Sequence, residues 1–378
     1  MKITIIGAGI GGLTTAIALK QKGHTVEIFE TSAGFTKAGS GINLAINAMQ
    51  VYKRLGIYDG IENAGSYSDA MIVADSDLKE ISKIDLKISE HKYGVKTVAI
   101  HRATLHKILL GHLKGTPIHL NKKLKSLTQS NNQVDLVFED GTTHTAAIVI
   151  GADGIYSAVR KSIFNNTTLR IAKQVCWRGI TKIVISDKYQ TELNELWGRG
   201  KRFGFVQITK EEVYWYALAN YNEDYKKEYE TVELENLFED FNPMIGKIIK
   251  STNKNDIITN EMMDLKPIPK WYYKNVCLVG DAAHATTPNM GQGACQAIES
   301  AYVLAQCLSD EQEVKKAFET FEKIRKKKAV GVVNDSWRVG KIAHWKNDLG
   351  IKLRNSAMRI IPKKLLQKQS TAIFELNY

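Results

Sequence analysis

The densest set of chemically useful residues in this 378-residue chain is Gly280-Asp281-Ala282-Ala283-His284-Ala285-Thr286-Thr287-Pro288-Asn289-Met290-Gly291-Gln292-Gly293. A short apolar run before it, Val276 to Val279, reads as a strand, and Ala294 to Leu308 after it carries Ala, Leu and Ile at helical spacing. An acid at a strand end, here Asp281, can accept a hydrogen bond from a sugar-type hydroxyl. Glycines entering a helix let backbone N–H groups approach an anion or a polarised ring edge. A plain strand–helix turn would need only some of these residues. The meaning of the stretch therefore depends on partners elsewhere in the chain.

The first partner is at the N-terminus. Lys2 to Ile6 is β-rich and runs into Gly7-Ala8-Gly9-Ile10-Gly11-Gly12, a G-x-G-x-x-G. Leu13 to Lys20 is helical, and Thr25 to Phe29 is a second strand ending in Glu30. Glu30 lies 18 positions past Gly12 (30 − 12), close to the separation expected in a dinucleotide-binding βαβ unit. Gly7 makes the tight turn, Gly9 lets the backbone reach a pyrophosphate, and Gly12 allows close helix–strand packing; Glu30 can bind a ribose hydroxyl pair. This pattern says dinucleotide and leaves FAD or NAD open.

The second partner is central, where Ala146 to Ile150 runs into Gly151-Ala152-Asp153-Gly154. An Asp at a strand end is costly to bury unpaired, so Asp153 is expected to bond a cofactor directly or through water. Ser157 and Arg160 are expected either to join it or only to cap and brace the next helix. Two more features sit between. Ala38 to Leu44, containing Asn43, reads as a small-residue loop against which a flat ring could lie. His101 to Leu109 starts a helix with Arg102 poised for an anionic group.

Residues 171–268 form a block of alternating strands. Trp197 to Val206 and Val213 to Tyr216 read as an aromatic-rich antiparallel sheet whose Arg202 and Tyr214 either line a pocket or are a solvent-facing Arg and a core Tyr. The two lie 12 positions apart (214 − 202) and share a face if the turn near Lys210 sets the register. Tyr67 to Ser89 looks like strands of that other layer. Glu311 to Lys328 is a charged helix, and Trp337 to Ile361 is helical up to Pro362.

Composition narrows the classes. At 44% hydrophobic and 24% charged, the chain is ordinary globular material. It has no apolar run long enough to span a bilayer, no cleavable leader pattern and no metal-ligand cluster. Cys176, Cys277, Cys295 and Cys307 are scattered, as expected of reduced, mostly buried thiols in a cytoplasmic protein. The net charge is +12, and residues 321–378 hold 14 Lys or Arg against 4 Asp or Glu. We expect Trp337 to Ile361 to pack its apolar face on the body and leave its cations in solvent.

Taken together, the Gly7–Gly12 motif with Glu30, Gly151-Ala152-Asp153-Gly154, and Gly280-Asp281 with Pro288 and Gly291-Gln292-Gly293 resemble single-component, class A FAD-dependent monooxygenases. These have the para-hydroxybenzoate hydroxylase fold. Trp177-Arg178-Gly179, the Trp197-to-Phe205 stretch with Tyr214-Trp215, and the tail from Ser336 to Pro362 are similar to the salicylate-hydroxylase-like, urate-hydroxylase-like and tetracycline-modifying branch.

That resemblance implies an α/β fold. A Rossmann-like FAD-binding domain (1–66, 100–170 and 270–320) carries an inserted antiparallel-sheet substrate domain (67–99 and 171–269) and a C-terminal helical region (321–378). It implies FAD as cofactor, NAD(P)H as transient reductant, and oxygen transfer through a flavin hydroperoxide to a small aromatic or heteroaromatic substrate. Residue by residue, Gly7, Gly9 and Gly12 would cradle the pyrophosphate and Glu30 the adenosine ribose. Arg102 would reach the ribityl–phosphate region, and Asp153 would serve FAD and the nicotinamide. Asp281 would bind the ribityl or pyrophosphate part. Gly291, Gln292 and Gly293 would lie beside the flavin ring, with Asn43 near it. Arg202 and Tyr214 match positions that hold and polarise substrate in urate-hydroxylase-like relatives. The expected protein is a monomer or homodimer without nucleic-acid partners or stable membrane insertion.

The competing enzyme is a flavin-dependent oxidoreductase without oxygen insertion. A flavin halogenase lacks support because Trp-x-Trp-x-Ile-Pro is absent. An NAD dehydrogenase would use only the first motif. A membrane-surface or nucleic-acid binder acting through the basic tail would leave all three motifs without a purpose.

Overall fold

A computed structural model describes residues 1–35, 40–130, 132–221 and 233–378. Its organising sheet has six strands, in the order Tyr272–Tyr273, Val276–Leu278, Val149–Gly151, Lys2–Ile6, Thr25–Phe29 and Ile118–His119. All neighbours are parallel except the outer pair Tyr272–Tyr273 and Val276–Leu278. The three motifs thus leave three parallel strands of one sheet at the same end. Helix Ile10–Gln21 and strand Thr143–Ala146 of a three-stranded sheet both pack on strand Lys2–Ile6, and Ile3, Ile5, Val149, Ile150 and Leu278 are fully buried, as continuous apolar strand runs require.

Helix Ile10–Gln21 packs on helix Gly293–Asp310, whose Ala297 methyl would lie 3.3 Å from a Cβ placed on Gly11. The second of these helices is tied to helix Val314–Ala343 by a buried network. Glu299 accepts from Arg325 Nη1 at 2.7 Å, Lys328 Nζ at 2.9 Å and Asn47 Nδ2 at 2.5 Å. A buried carboxylate is tolerable only with such compensation.

The second sheet has seven strands, ordered Ile258–Leu265, Leu169–Lys182, Glu212–Asn220, Lys201–Gln207, Glu192–Trp197, Ala70–Asp75 and Glu80–Asp85. It is not wholly antiparallel as expected, because Glu192–Trp197 runs parallel to Ala70–Asp75. One face carries Trp177, Phe203, Phe205 and Trp215 against helix Pro243–Lys250. Alternation sends Arg178, Arg202, Tyr214 and Tyr216 to the other face. The stretch Tyr67 to Ser89 is strand only in part, since Leu86–Tyr93 is a helix capped by Asp85 at its start and by left-handed Gly94 at its end.

Two further expectations change. Gly41–Leu44 is not a loop but a strand paired antiparallel with Thr97–His101; Ala38 and Gly39 lie outside the described residues. The C-terminal region is three helices, with other bounds than the two helical stretches expected. Val314–Ala343 continues unbroken through the charged segment, His344 to Asn347 interrupts it, and Asp348–Ile360 and Lys363–Phe374 follow. The expectation that Trp337 to Ile361 buries its apolar face fails. Arg354 and Asn355 occupy the inner side of helix Asp348–Ile360, while Leu349, Leu353 and Ile360 are exposed.

Candidate functional site

The glycine motif closes for steric reasons. A Cβ on Gly7, at φ +104°, would strike the carbonyl oxygen of Ala152, and one on Gly12 would overlap the carbonyl oxygen of Gly7. The first and central motifs therefore touch through positions where only hydrogen fits. Gly9 stands at the N-cap of Ile10–Gln21 with open space where its Cβ would be, which leaves the helix N-terminus approachable by an anion. Glu30 holds this loop in shape: Oε2 accepts from Ala8 N at 2.7 Å and Oε1 from Ser32 N at 2.8 Å. His106 adds a support that the sequence did not signal, its Nε2 lying 2.7 Å from the Ala8 carbonyl oxygen.

Asp153 finds hydrogen-bond donors at the start of the helix that follows it, Ala158–Ile163. Oδ1 accepts from Ser157 Oγ at 2.5 Å and Oδ2 from Val159 N at 3.0 Å. Burial raises its pKa although these donors pull it down. Arg160 braces, as one of the two readings held. It is buried, and its Nη1 reaches the Ala282 carbonyl oxygen at 3.0 Å, locking the central motif to the late one.

Asp281 behaves differently. It is exposed to solvent, and burial raises its pKa against the opposing pull of Arg102 and Arg160. Arg102 is also exposed, and its charge is felt by both Asp281 and Tyr214. Gly291, left-handed at φ +62°, has open space at its Cβ position. Gln292 is buried and accepts from Asn47 Nδ2 at 3.0 Å. Asn43 carries a buried Oδ1 without a hydrogen-bond partner, an acceptor left for a polar ligand edge.

These features fit FAD. There is an open helix N-terminus between glycines that exclude side chains, an accessible acid with an accessible arginine acting on it, and an orphaned amide oxygen on strand Gly41–Leu44.

The cofactor-side strand and the second sheet meet directly, since a Cβ on Gly41 would collide with the Tyr214 ring. His101 Nε2 lies 2.9 Å from Glu212 Oε2 at the same seam. On the sheet face, Val206 opposes Tyr214, Gly204 opposes Tyr216 and Arg202 opposes Leu218. Arg202 and Tyr214 thus share a face, but Tyr216 stands between them.

Arg202 is 1% exposed, and both of its Nη groups are engaged while its Nε has no hydrogen-bond partner. Its Nη1 donates to Glu195 Oε1 at 3.0 Å and its Nη2 to Asn289 Oδ1. Glu195 also accepts from Trp197 Nε1 and Tyr216 Oη, both at 2.5 Å. Asn289 in turn donates to Thr287 Oγ1 at 2.9 Å and to the Ser336 carbonyl oxygen at 2.8 Å. Arg202 therefore ties the sheet to the late glycine loop.

Arg178, on the same face, is half-buried beside the Cys176 thiol and the Tyr214 hydroxyl, and no carboxylate among the described residues pairs with it. Tyr214 is pushed above the ordinary phenol range by burial, against the pull of Arg178, so it remains a hydrogen-bond donor at neutral pH. Sequence reasoning missed Arg178, Glu195, Tyr216 and Asn289 as site residues. The alternation of Arg178 with buried Trp177 and Gly179 was the available signal for the first.

Residues 1–345 match the FAD-binding domain family. The chain belongs to that family, in its class A monooxygenase group. It is 31% identical to the aurachin C monooxygenase/isomerase of Stigmatella aurantiaca over 96% of this chain and 94% of that protein. It is 30% identical to the 2-heptyl-3-hydroxy-4(1H)-quinolone synthase of Pseudomonas aeruginosa, covering 100% and 99%. In fold it matches Klebsiella pneumoniae HpxO complexed with FAD and uric acid at TM-score 0.89, with 24% identity and coverage of 99% and 96%. This flavoprotein is an FAD-dependent monooxygenase with NAD(P)H as the reductant of its class. The reading without oxygen insertion loses its support. Among the described residues no helix is long and apolar enough to cross a membrane, and no His, Cys, Asp or Glu cluster suits a metal.

Proposed function

We propose that this flavoprotein hydroxylates a planar, enolisable N-heteroaromatic ring of the 4-quinolone kind. The observation that carries this reading is the half-buried Arg178 beside the protonated Tyr214, on the sheet face that meets the cofactor-side strand. A guanidinium without a carboxylate partner suits an oxygen that gains negative charge as the ring reacts, and a neutral phenol suits a second hydrogen bond to it. The quinolone named for the Pseudomonas relative has that kind of oxygen next to the carbon that bears its hydroxyl.

Bound FAD, once reduced, supplies electrophilic oxygen from O2. The balance is substrate C–H, O2, NAD(P)H and a proton giving C–OH, water and NAD(P)+. Arg178 stabilises the developing oxyanion and Tyr214 orients it. Arg202 is a positioning residue, acting through Glu195 and Asn289 on the sheet and the glycine loop.

For the cofactor, Gly7, Gly9 and Gly12 hold the pyrophosphate at the helix N-terminus and Glu30 the adenosine ribose. Arg102 and Asp281 hold the phosphate–ribityl region, and Asn43 with Gly291, Gln292 and Gly293 lie along the ring. Asp153 shapes the central turn. The first sheet, with residues 1–66, 100–170 and 270–320, is the cofactor domain in this proposal. Residues 67–99 and 171–269 form the substrate domain. Four free, buried cysteines suit a reducing cytoplasm.

The test is NAD(P)H oxidation by the purified flavoprotein, run with NADH and NADPH, in the presence of a 2-alkyl-4-quinolone, uric acid, 6-hydroxynicotinate or salicylate. Product mass is read in parallel. Stimulation by the quinolone with gain of one oxygen is expected. Stimulation by uric acid alone would overturn the substrate reading.

A further inference from the structure

Helix Asp348–Ile360 is built inside out. Arg354 is buried, donates from Nη1 to the carbonyl oxygens of Ile342 (3.2 Å) and Ala343 (3.1 Å), and stacks over Trp197 at 5.1 Å. Asn355 beside it is buried as well. The outer face carries Leu349, Leu353 and Ile360, which are 67%, 62% and 81% exposed. Spacings of four and seven put them in one row along the helix. Ile342 and Trp345, before the helix, and Leu365, after it, are exposed as well. Three large aliphatic side chains exposed on one face are not the usual cover of a water-facing helix.

Its surroundings are cationic. Residues 341–368 contain eight Lys or Arg and one acid, Asp348. Lys341, Lys346, Lys352, Lys363, Lys364 and Lys368 are exposed.

We propose that this face docks on an anionic phospholipid surface. The helix would lie in the headgroup plane with its leucine row in the acyl boundary and its lysines on lipid phosphates. Thirteen residues are too few to span a bilayer, but enough to lie along one. Trp345, exposed before the helix, suits the headgroup level. A second copy of the chain fits less well, because isologous pairing would bring lysines against lysines with a single acid to offset them.

The docking face is rigidly joined to the substrate sheet. Arg359 Nη2 lies 3.2 Å from Asp75 Oδ2, and Gly200 N donates to the Trp345 carbonyl oxygen at 2.9 Å. Binding would therefore hold the substrate sheet close to the lipid. The proposal stands apart from the substrate assignment, because it is read without turnover.

Flotation of the full-length, FAD-loaded protein with phosphatidylcholine vesicles, with and without phosphatidylglycerol, tests it. We expect salt-sensitive binding only to the phosphatidylglycerol vesicles. Leu349→Gln/Leu353→Gln/Ile360→Gln and, separately, Lys352→Glu/Lys364→Glu should each weaken it about tenfold or more, with melting temperature and flavin spectrum unchanged. Three results would overturn the proposal: absence of wild-type binding to anionic vesicles, equal binding by the triple variant, or a wild-type dimer that the triple variant resolves to monomer. The last would assign the face to a second copy.

Discussion

Glu195 Oε1 lies 3.0 Å from Arg202 Nη1, so the guanidinium nearest the late glycine loop is already neutralised within its own sheet. Tyr216 and Trp197 donate to the same carboxylate, and Asn289 takes the remaining Nη group. Arg178, on the strand beyond, has no carboxylate partner among the described residues. In the proposed function Arg202 is thus the brace and Arg178 the binder.

Removing one partner of the buried pair should mainly cost stability. Glu195→Gln or Arg202→Ala is expected to lose about 3–5 kcal/mol, because an uncompensated charge or cavity is left inside the sheet. Urea unfolding of the variants against wild type measures this. A loss below about 1 kcal/mol would return Arg202 to the substrate-binding role.

Arg178→Gln should behave in the opposite way. Its unfolding midpoint should stay near wild type, while kcat/KM with a working substrate falls about 10- to 150-fold, the worth of one charge-assisted hydrogen bond. Uncoupled NAD(P)H oxidation should rise, since a loosely held ring is a poorer oxygen acceptor. Wild-type kcat/KM in this variant would remove Arg178 from the site.

Glu30→Ala and Asp281→Ala should both lower FAD content, read from the ratio of flavin to protein absorbance after gel filtration. Glu30→Ala should also lower the melting temperature of the apoprotein, because it frees the Ala8 and Ser32 N–H groups. Asp281→Ala should not, since its pKa is raised by burial and no hydrogen bond among the described residues depends on it.

Stability should fall as pH is lowered from about 7 towards 5. Burial lowers the pKa of His284 from 6.5 to about 3, and it lowers that of His344 well below the usual range. Between the unfolded and folded values the unfolded chain binds the extra proton, so acid favours unfolding there. Each such histidine adds a slope of up to about 1.4 kcal/mol per pH unit. His284→Gln should flatten the slope by one proton in urea midpoints measured at pH 7, 6 and 5. An unchanged slope would mean that His284 charges within the fold.

Much of the cofactor half was legible without coordinates. Gly7 and Gly12 announce themselves because a tight turn and a close backbone approach accept few residue types at few spacings, and a Cβ at either would strike backbone. Strands such as Lys2–Ile6 and Val276–Leu278 were readable because sheets covered on both faces demand unbroken apolar runs.

What only the tertiary structure decided is how charges pair. Whether Asp153 seeks a ligand or caps its own helix, and whether Arg202 or Arg178 keeps a free guanidinium, depends on register and on residues such as Glu195 and Asn289 that no local pattern marks. The same holds for Leu349, Leu353 and Ile360. Their helical spacing specifies one face but not which way it turns. Arg354 settled that by finding carbonyl partners at Ile342 and Ala343 and the ring of Trp197, more than 150 residues earlier in the chain.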